Sequence, residues 1–174
     1  MRNRRSRTPG GTYFFTVVTQ GRKQILCLGD NPRLLGADIE SVQARHPFTV
    51  DAIVLLPDHL HCIWSLPEND ADFSTRRMLV KSAFTRQWKL VAREKMKPGR
   101  SAWQNRFWEH QIRDDTDFAR HVEYIHYNPV KHGLAQAHFE WKYPSFRRYV
   151  KEGRCHQGWG AKEPVCSAVG IGSE

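Results

Sequence analysis

One stretch does most to limit the folds open to this chain: Val50-Asp51-Ala52-Ile53-Val54-Leu55-Leu56, then Pro57-Asp58, then His59-Leu60-His61-Cys62-Ile63-Trp64-Ser65-Leu66. The first part is too apolar for one of its sides to meet water, and predicts a strand over 48–56 at the centre of a sheet. Pro57-Asp58 supplies turn chemistry, and a further strand is expected over 60–66, with His59 at its opening. Such a pair is not stable alone and must bury a face against other elements.

The flanking patterns supply those elements. Residues 13–19 read as a strand. Residues 34–45 read as a helix introduced by Asp30-Asn31-Pro32, capping residues ahead of a helix-starting proline. A long helix is expected over 74–96, with an N-cap in Phe73-Ser74-Thr75 and a buried stripe of Val80, Phe84, Trp88 and Val91. Pro98-Gly99 ends it. A fourth strand is expected over 106–113. Asp114-Asp115-Thr116-Asp117 then caps a helix that runs to about Tyr127, because Pro129 disfavours helix before it. The order β-α-β-β-α-β-α predicts an α+β fold: a ferredoxin-like split β-α-β antiparallel sheet with helices on one face, plus a C-terminal tyrosine helix and irregular tail. The second sheet face stays open for a ligand. The expected division is a flexible basic arm (1–11), a catalytic domain (12–133) and a C-terminal extension (134–174).

A chain of 174 residues is long enough for one real core. No apolar run has the length of a membrane helix, and the basic start lacks the long apolar core of a signal peptide. Four cysteines without a C-x-x-C pair read as reduced and structural. These features point to a cytoplasmic, nucleoid-associated protein. With 27 Lys and Arg against 18 Asp and Glu, the net charge of +9 favours a polyanionic partner, nucleic acid first. Candidate phosphate contacts are Arg2, Arg4, Arg5 and Arg7 in the arm, Arg106 and Arg113 around Phe107 and Trp108, and Lys131. Arg86, Lys89, Arg93 and Lys97 share a helix face that fits a solvated surface as well as a phosphate-contacting ridge.

In a strand, His59 and His61 point to one side and Leu60 to the other. Two imidazoles one strand repeat apart are placed to share a metal ion, although a bare H-x-H also occurs at unliganded sheet edges. In the last helix Tyr124 and Asn128 lie one turn apart on one face. Asn128 offers an amide oxygen to a metal, and Tyr124 a phenol beside it. The competing phenol, Tyr127, has Lys131 at the same spacing, which cannot coordinate. By themselves these residues also fit an ordinary core position and an Asn-Pro helix stop. A phenol with a pKa of about 10 needs help to attack phosphorus, and a divalent ion can polarise the phosphate.

Three polar blocks carry a resemblance: Pro57-Asp58-His59-Leu60-His61-Cys62-Ile63-Trp64, Trp103-Gln104-Asn105-Arg106-Phe107-Trp108-Glu109-His110, and Tyr124-Ile125-His126-Tyr127-Asn128-Pro129-Val130-Lys131-His132-Gly133. With the strand Gly11-Thr12-Tyr13-Phe14-Phe15-Thr16-Val17, they resemble, in order over roughly 10–150, the single-tyrosine HUH transposases, and among them the REP-associated tyrosine transposases. The resemblance implies a metal-dependent endonuclease and strand transferase. Its substrate is single-stranded DNA beside a hairpin of repetitive extragenic palindromes, together with a short unpaired tetranucleotide. It implies a 5′-phosphotyrosine on Tyr124, and His59, His61 and Asn128 as ligands of Mg2+ or Mn2+. Asparagine at the third ligand, where many insertion-sequence relatives have glutamine, points to the REP-associated branch. That branch is expected to be monomeric, with a dimer as the other possibility. Two rival readings are a catalytically silent hairpin-binding module and a metal-dependent hydrolase of small phosphoesters.

Overall fold

The structure, a computed structural model, describes residues 8–91 and 101–142. Its elements are β1 (Thr12–Val18), α1 (Asn31–Arg45), β2 (Thr49–Leu55), β3 (His59–Ser65), α2 (Phe73–Val91), β4 (Trp108–Gln111) and α3 (Asp115–Lys131). This is the expected order. The strands form one antiparallel sheet in the order β2-β3-β1-β4. The apolar strand β2 is therefore an edge strand rather than a central one. Its apolar character has another cause, because both of its sides are covered. Ile53 packs with Leu55 against the core that includes α1 and α2, while Ala52 and Val54 lie in a second core with α3. Trp141 donates its Nε1–H to the Leu55 carbonyl at 2.8 Å, which occupies part of the exposed edge.

Alternation along β1 and β3 separates the two faces. Tyr13, Phe15, Val17, Leu60, Cys62 and Trp64 enter the larger core, which Val80, Phe84 and Trp88 of α2 complete. Val91, expected to extend that stripe, is exposed. The N-cap of α2 is Asp72, whose Oδ1 accepts the Thr75 N–H at 3.0 Å; it lies one residue before the expected Phe73-Ser74-Thr75. The opposite face carries Phe14, Ile63, Ala52 and Val54, and it is not open over its whole width. Val122 and Ile125 of α3 pack there.

Helix α3 has Pro129 inside it and continues to Lys131, two residues past the proline and four beyond the expected stop. Proline withholds one donor, but the His132 N–H reaches the Asn128 carbonyl at 3.0 Å and the Leu134 N–H reaches that of Pro129 at 2.8 Å. Gly133, at φ 65°, then ends the helix in the left-handed conformation. At the other end Asp114 accepts the Asp117 N–H at 2.8 Å, the expected cap.

A buried carboxylate ties α3 to β4. Asp117 Oδ2 accepts from His110 Nε2 at 2.8 Å and from the Arg113 N–H at 3.0 Å, and its Oδ1 lies 3.2 Å from His121 Nδ1. Burial opposes ionisation of Asp117, but the His110 and Arg113 hydrogen bonds and the charges of His110 and His121 outweigh it, so its pKa lies below the ordinary carboxylate value. Asp117 is therefore more readily ionised folded than unfolded. The resulting stability is present above the unfolded pKa of about 4 and is lost as pH falls through the lower folded value. Asp117→Asn is expected to cost about 1–3 kcal/mol at neutral pH and to flatten the acid limb of the stability curve, read by denaturant unfolding across pH. Asp114→Ala is expected to cost about 1 kcal/mol through loss of the cap, read by the same unfolding measurement.

Candidate tyrosine and metal site

The strand alternation places His59 and His61 on the sheet face that α3 covers, 2% and 0% exposed. Their ring centroids lie 5.0 Å apart with planes at 81°. Each Nδ1 is held by a neighbour: His59 by Asp58 Oδ1 at 2.6 Å, His61 by Thr16 Oγ1 at 2.9 Å. A carboxylate on Nδ1 keeps the proton there and leaves Nε2 as the donor atom for a cation, the arrangement common to metal-binding histidines. Burial raises the Asp58 pKa, but the hydrogen bonds and charges of His59 and Arg22 bring it below the ordinary value, so the carboxylate stays ionised. Asp58 read in the sequence as turn chemistry alone, and Thr16 as a strand residue. The signal for both was present: Asp58 is next to His59, and Thr16 sits two residues past Phe14 on the same strand face.

Helix α3 brings its polar face to these rings. Tyr124 meets His61 edge-on, centroids 5.2 Å apart at 70°. Two turns further on, the ring of His132 lies 5.2 Å from that of His59. Asn128 is midway between Tyr124 and His132 in fourfold spacing, on the face that spans both histidines. It is 0% exposed, and among the described residues neither Oδ1 nor Nδ2 has a hydrogen-bond partner. An amide buried in this way costs about 1–3 kcal/mol unless something binds it. The helical geometry of Asn128 survives the following proline, which the sequence had left open.

Lys131 donates from Nζ to Tyr124 Oη at 3.4 Å and lies 5.1 Å from the ring centroid. The structure thus sets it beside the phenol. Arg106 and Arg113 are exposed just outside the two ends of β4, and Arg113 also reaches Asp117 at 3.4 Å. Arg86 and Lys89 are not brought to the site. They lie on α2, whose packing is against the other sheet face, and the Arg86 charge acts on Asp38 of α1. Arg2, Arg4, Arg5, Arg7, Arg93 and Lys97 lie outside the described residues, as does most of the extension.

A second cluster went unnoticed in the sequence. His110, Asp117 and His121 offer ligand atoms all within 4.8 Å of one another. Its signal was Asp117 and His121 one turn apart on α3. Two imidazoles and a carboxylate are a donor set a divalent ion can use. The carboxylate already accepts from two groups and has the Arg113 guanidinium beside it, so the set is built first as a clamp between β4 and α3.

No family model matches the chain. It is 41% identical over 156 residues to the REP-associated tyrosine transposase of Escherichia coli, covering 90% of this chain and 88% of the relative. It is 42% identical over 162 residues to a Haemophilus influenzae protein that carries the same family name, covering 90% and 92%. A solved REP-associated tyrosine transposase, bound to a REP hairpin, superposes with a TM-score of 0.82 at 38% identity over 97% of this chain and 96% of that one. With identities at this level over nine-tenths of the chain, and with the expected fold in place, the chain belongs to the REP-associated tyrosine transposases.

Proposed function

We propose that this transposase cuts and rejoins single-stranded DNA beside a hairpin, with Tyr124 as nucleophile and a divalent ion held by His59, His61 and Asn128. One observation carries the reading: a single face of α3 sets the Tyr124 ring against His61 and the His132 ring against His59, with the unsatisfied amide of Asn128 between them. Imidazole donors with Nδ1 anchored, together with an amide, fit Mn2+ or Mg2+, and the nitrogen donors fit Mn2+ better. When bound, such an ion polarises the scissile phosphate and offsets the charge that develops there.

The chain's own residues do the rest. The Tyr124 oxygen forms the new bond to phosphorus, the bond from phosphorus to the 3′ oxygen breaks, and the phenol proton is balanced by the one taken up at the released 3′-OH. The product is a 5′-phosphotyrosine and a free 3′ end. Attack by a 3′-OH reverses the step and regenerates the phenol without any energy-rich cofactor. The Lys131 ammonium donates to the phenol oxygen, where negative charge gathers in either direction. Arg106, Arg113 and the arm with Arg2, Arg4, Arg5 and Arg7 supply phosphate contacts, and residues 134–174 form an extension to the catalytic domain. The solved relative's hairpin supports a hairpin substrate here. The reading takes the protein as a monomer in the cytoplasm, and no helix among the described residues is long and apolar enough to cross a membrane.

The test is a denaturing gel of the full chain with Mn2+ and a labelled hairpin bearing an unpaired flank. A slow band that resists denaturant and requires metal is expected from the wild type and from Tyr127→Phe. It is expected to vanish in Tyr124→Phe. Tight binding without any adduct would instead make the protein a silent hairpin-binding module. Asp58→Ala is expected to weaken Mn2+ affinity about 10- to 100-fold through the loss of His59 orientation, measured by calorimetry.

A further inference from the structure

Trp108 is the outermost of three parallel rings on the face that carries His61. Its indole lies 5.8 Å from the His110 ring at 7°, and His110 lies 4.7 Å from His121 at 14°. The column is anchored from below: His121 is 1% exposed, and Asp117 holds His110 at 2.8 Å. Phe14 braces the indole edge-to-face, with centroids 5.5 Å apart at 72°. Despite these contacts Trp108 keeps 36% of its surface exposed. The sheet register gives its place. Trp108 pairs with Thr16, and Thr16 pairs with His61, so indole and imidazole occupy one row, two strands apart. At the usual strand spacing that is about 10 Å.

We propose that Trp108 is a stacking platform for one unpaired nucleobase of the DNA, next to the nucleotide presented to Tyr124. The proposal takes its ligand class from the function proposed above. An exposed indole already fixed in plane loses little freedom when a base stacks on it, so most of the stacking is kept as affinity. Every base has a π-face, so such a platform accepts bases of any identity. The surrounding charge favours the same ligand, because exposed Arg106 and Arg113 stand at the two ends of β4 in a chain of net charge +9. A tryptophan that served only the packing of the sheet would, when truncated, change affinity for blunt and flanked DNA alike or not at all.

The experiment measures binding of the full chain in EDTA, where no cutting occurs, to a labelled hairpin that is blunt or carries an unpaired oligothymidylate flank at either end. Trp108→Ala is expected to weaken binding of one flanked hairpin roughly 5- to 150-fold and to leave the blunt hairpin unaffected, while Trp108→Phe retains most of the affinity. An abasic nucleotide scanned through that flank is expected to weaken the wild type by a similar factor at one position, and to cost Trp108→Ala nothing further there. Undiminished affinity of Trp108→Ala for the flanked hairpins overturns the platform. So does an equal loss on blunt and flanked DNA, or an abasic penalty that persists in full in the variant at every position. A wild type that binds none of these hairpins would sink the DNA-processing reading itself, a result distinct from a wild type that binds and a variant that matches it.

Discussion

The packing of α3 on the sheet is the contact on which the site depends. Val122 and Ile125 bury themselves against Phe14, Ala52, Val54, Leu56 and Ile63, and each fully buried aliphatic side chain is worth about 1.5–3 kcal/mol. Without that contact Tyr124 and the histidine pair belong to separate elements with nothing between them. Phe14 is the hub: its ring lies 5.6 Å from His61, 5.9 Å from Tyr124, 4.9 Å from His121 and 5.5 Å from Trp108. A non-directional force thus holds in register the groups whose chemistry is directional.

Within that frame carboxylates orient imidazoles twice. Asp58 fixes Nδ1 of His59, and Asp117 fixes Nε2 of His110. The two pairs serve different ends. Asp58 sits in the turn before β3 and orients the first ring of the histidine pair. Asp117 sits at the start of α3, ties the helix to β4 and supports the ring column under Trp108. In a chain with an excess of nine positive charges, both carboxylates remain ionised because the groups they orient also stabilise their charge.

Membership of the REP-associated tyrosine transposases rests on identity along the chain, and the fold agrees with it. The geometry adds what identity leaves unsaid: which face of α3 meets the histidines, that Lys131 stands at the phenol, and that Trp108 shares a row with His61. It also narrows the basic surface. Arg86 and Lys89 belong to the far side of the sheet, so their charge contributes to the field of the whole protein rather than to contacts at the tyrosine.

Local periodicity carried the element order, the shared side of His59 and His61, the one-turn spacing of Tyr124 and Asn128, and the Asp114 cap, because repeats of two and of 3.6 residues act within a few residues of each other. Four results needed the tertiary structure. An apolar strand is equally apolar at the centre of a sheet or at an edge covered on both sides, so the place of β2 was not legible. Pro129 stays in the helix because later donors reach past it. Tyr124 and His132, with Asn128 between them along α3, meet the histidine pair because a helix from the end of the domain crosses the face opposite α1 and α2. The stack of Trp108, His110 and His121 joins a strand to a helix. The sequence by itself determined which residues share a side of each element. Which sides meet was decided by burial between segments far apart in the chain, and that is a property of the whole fold.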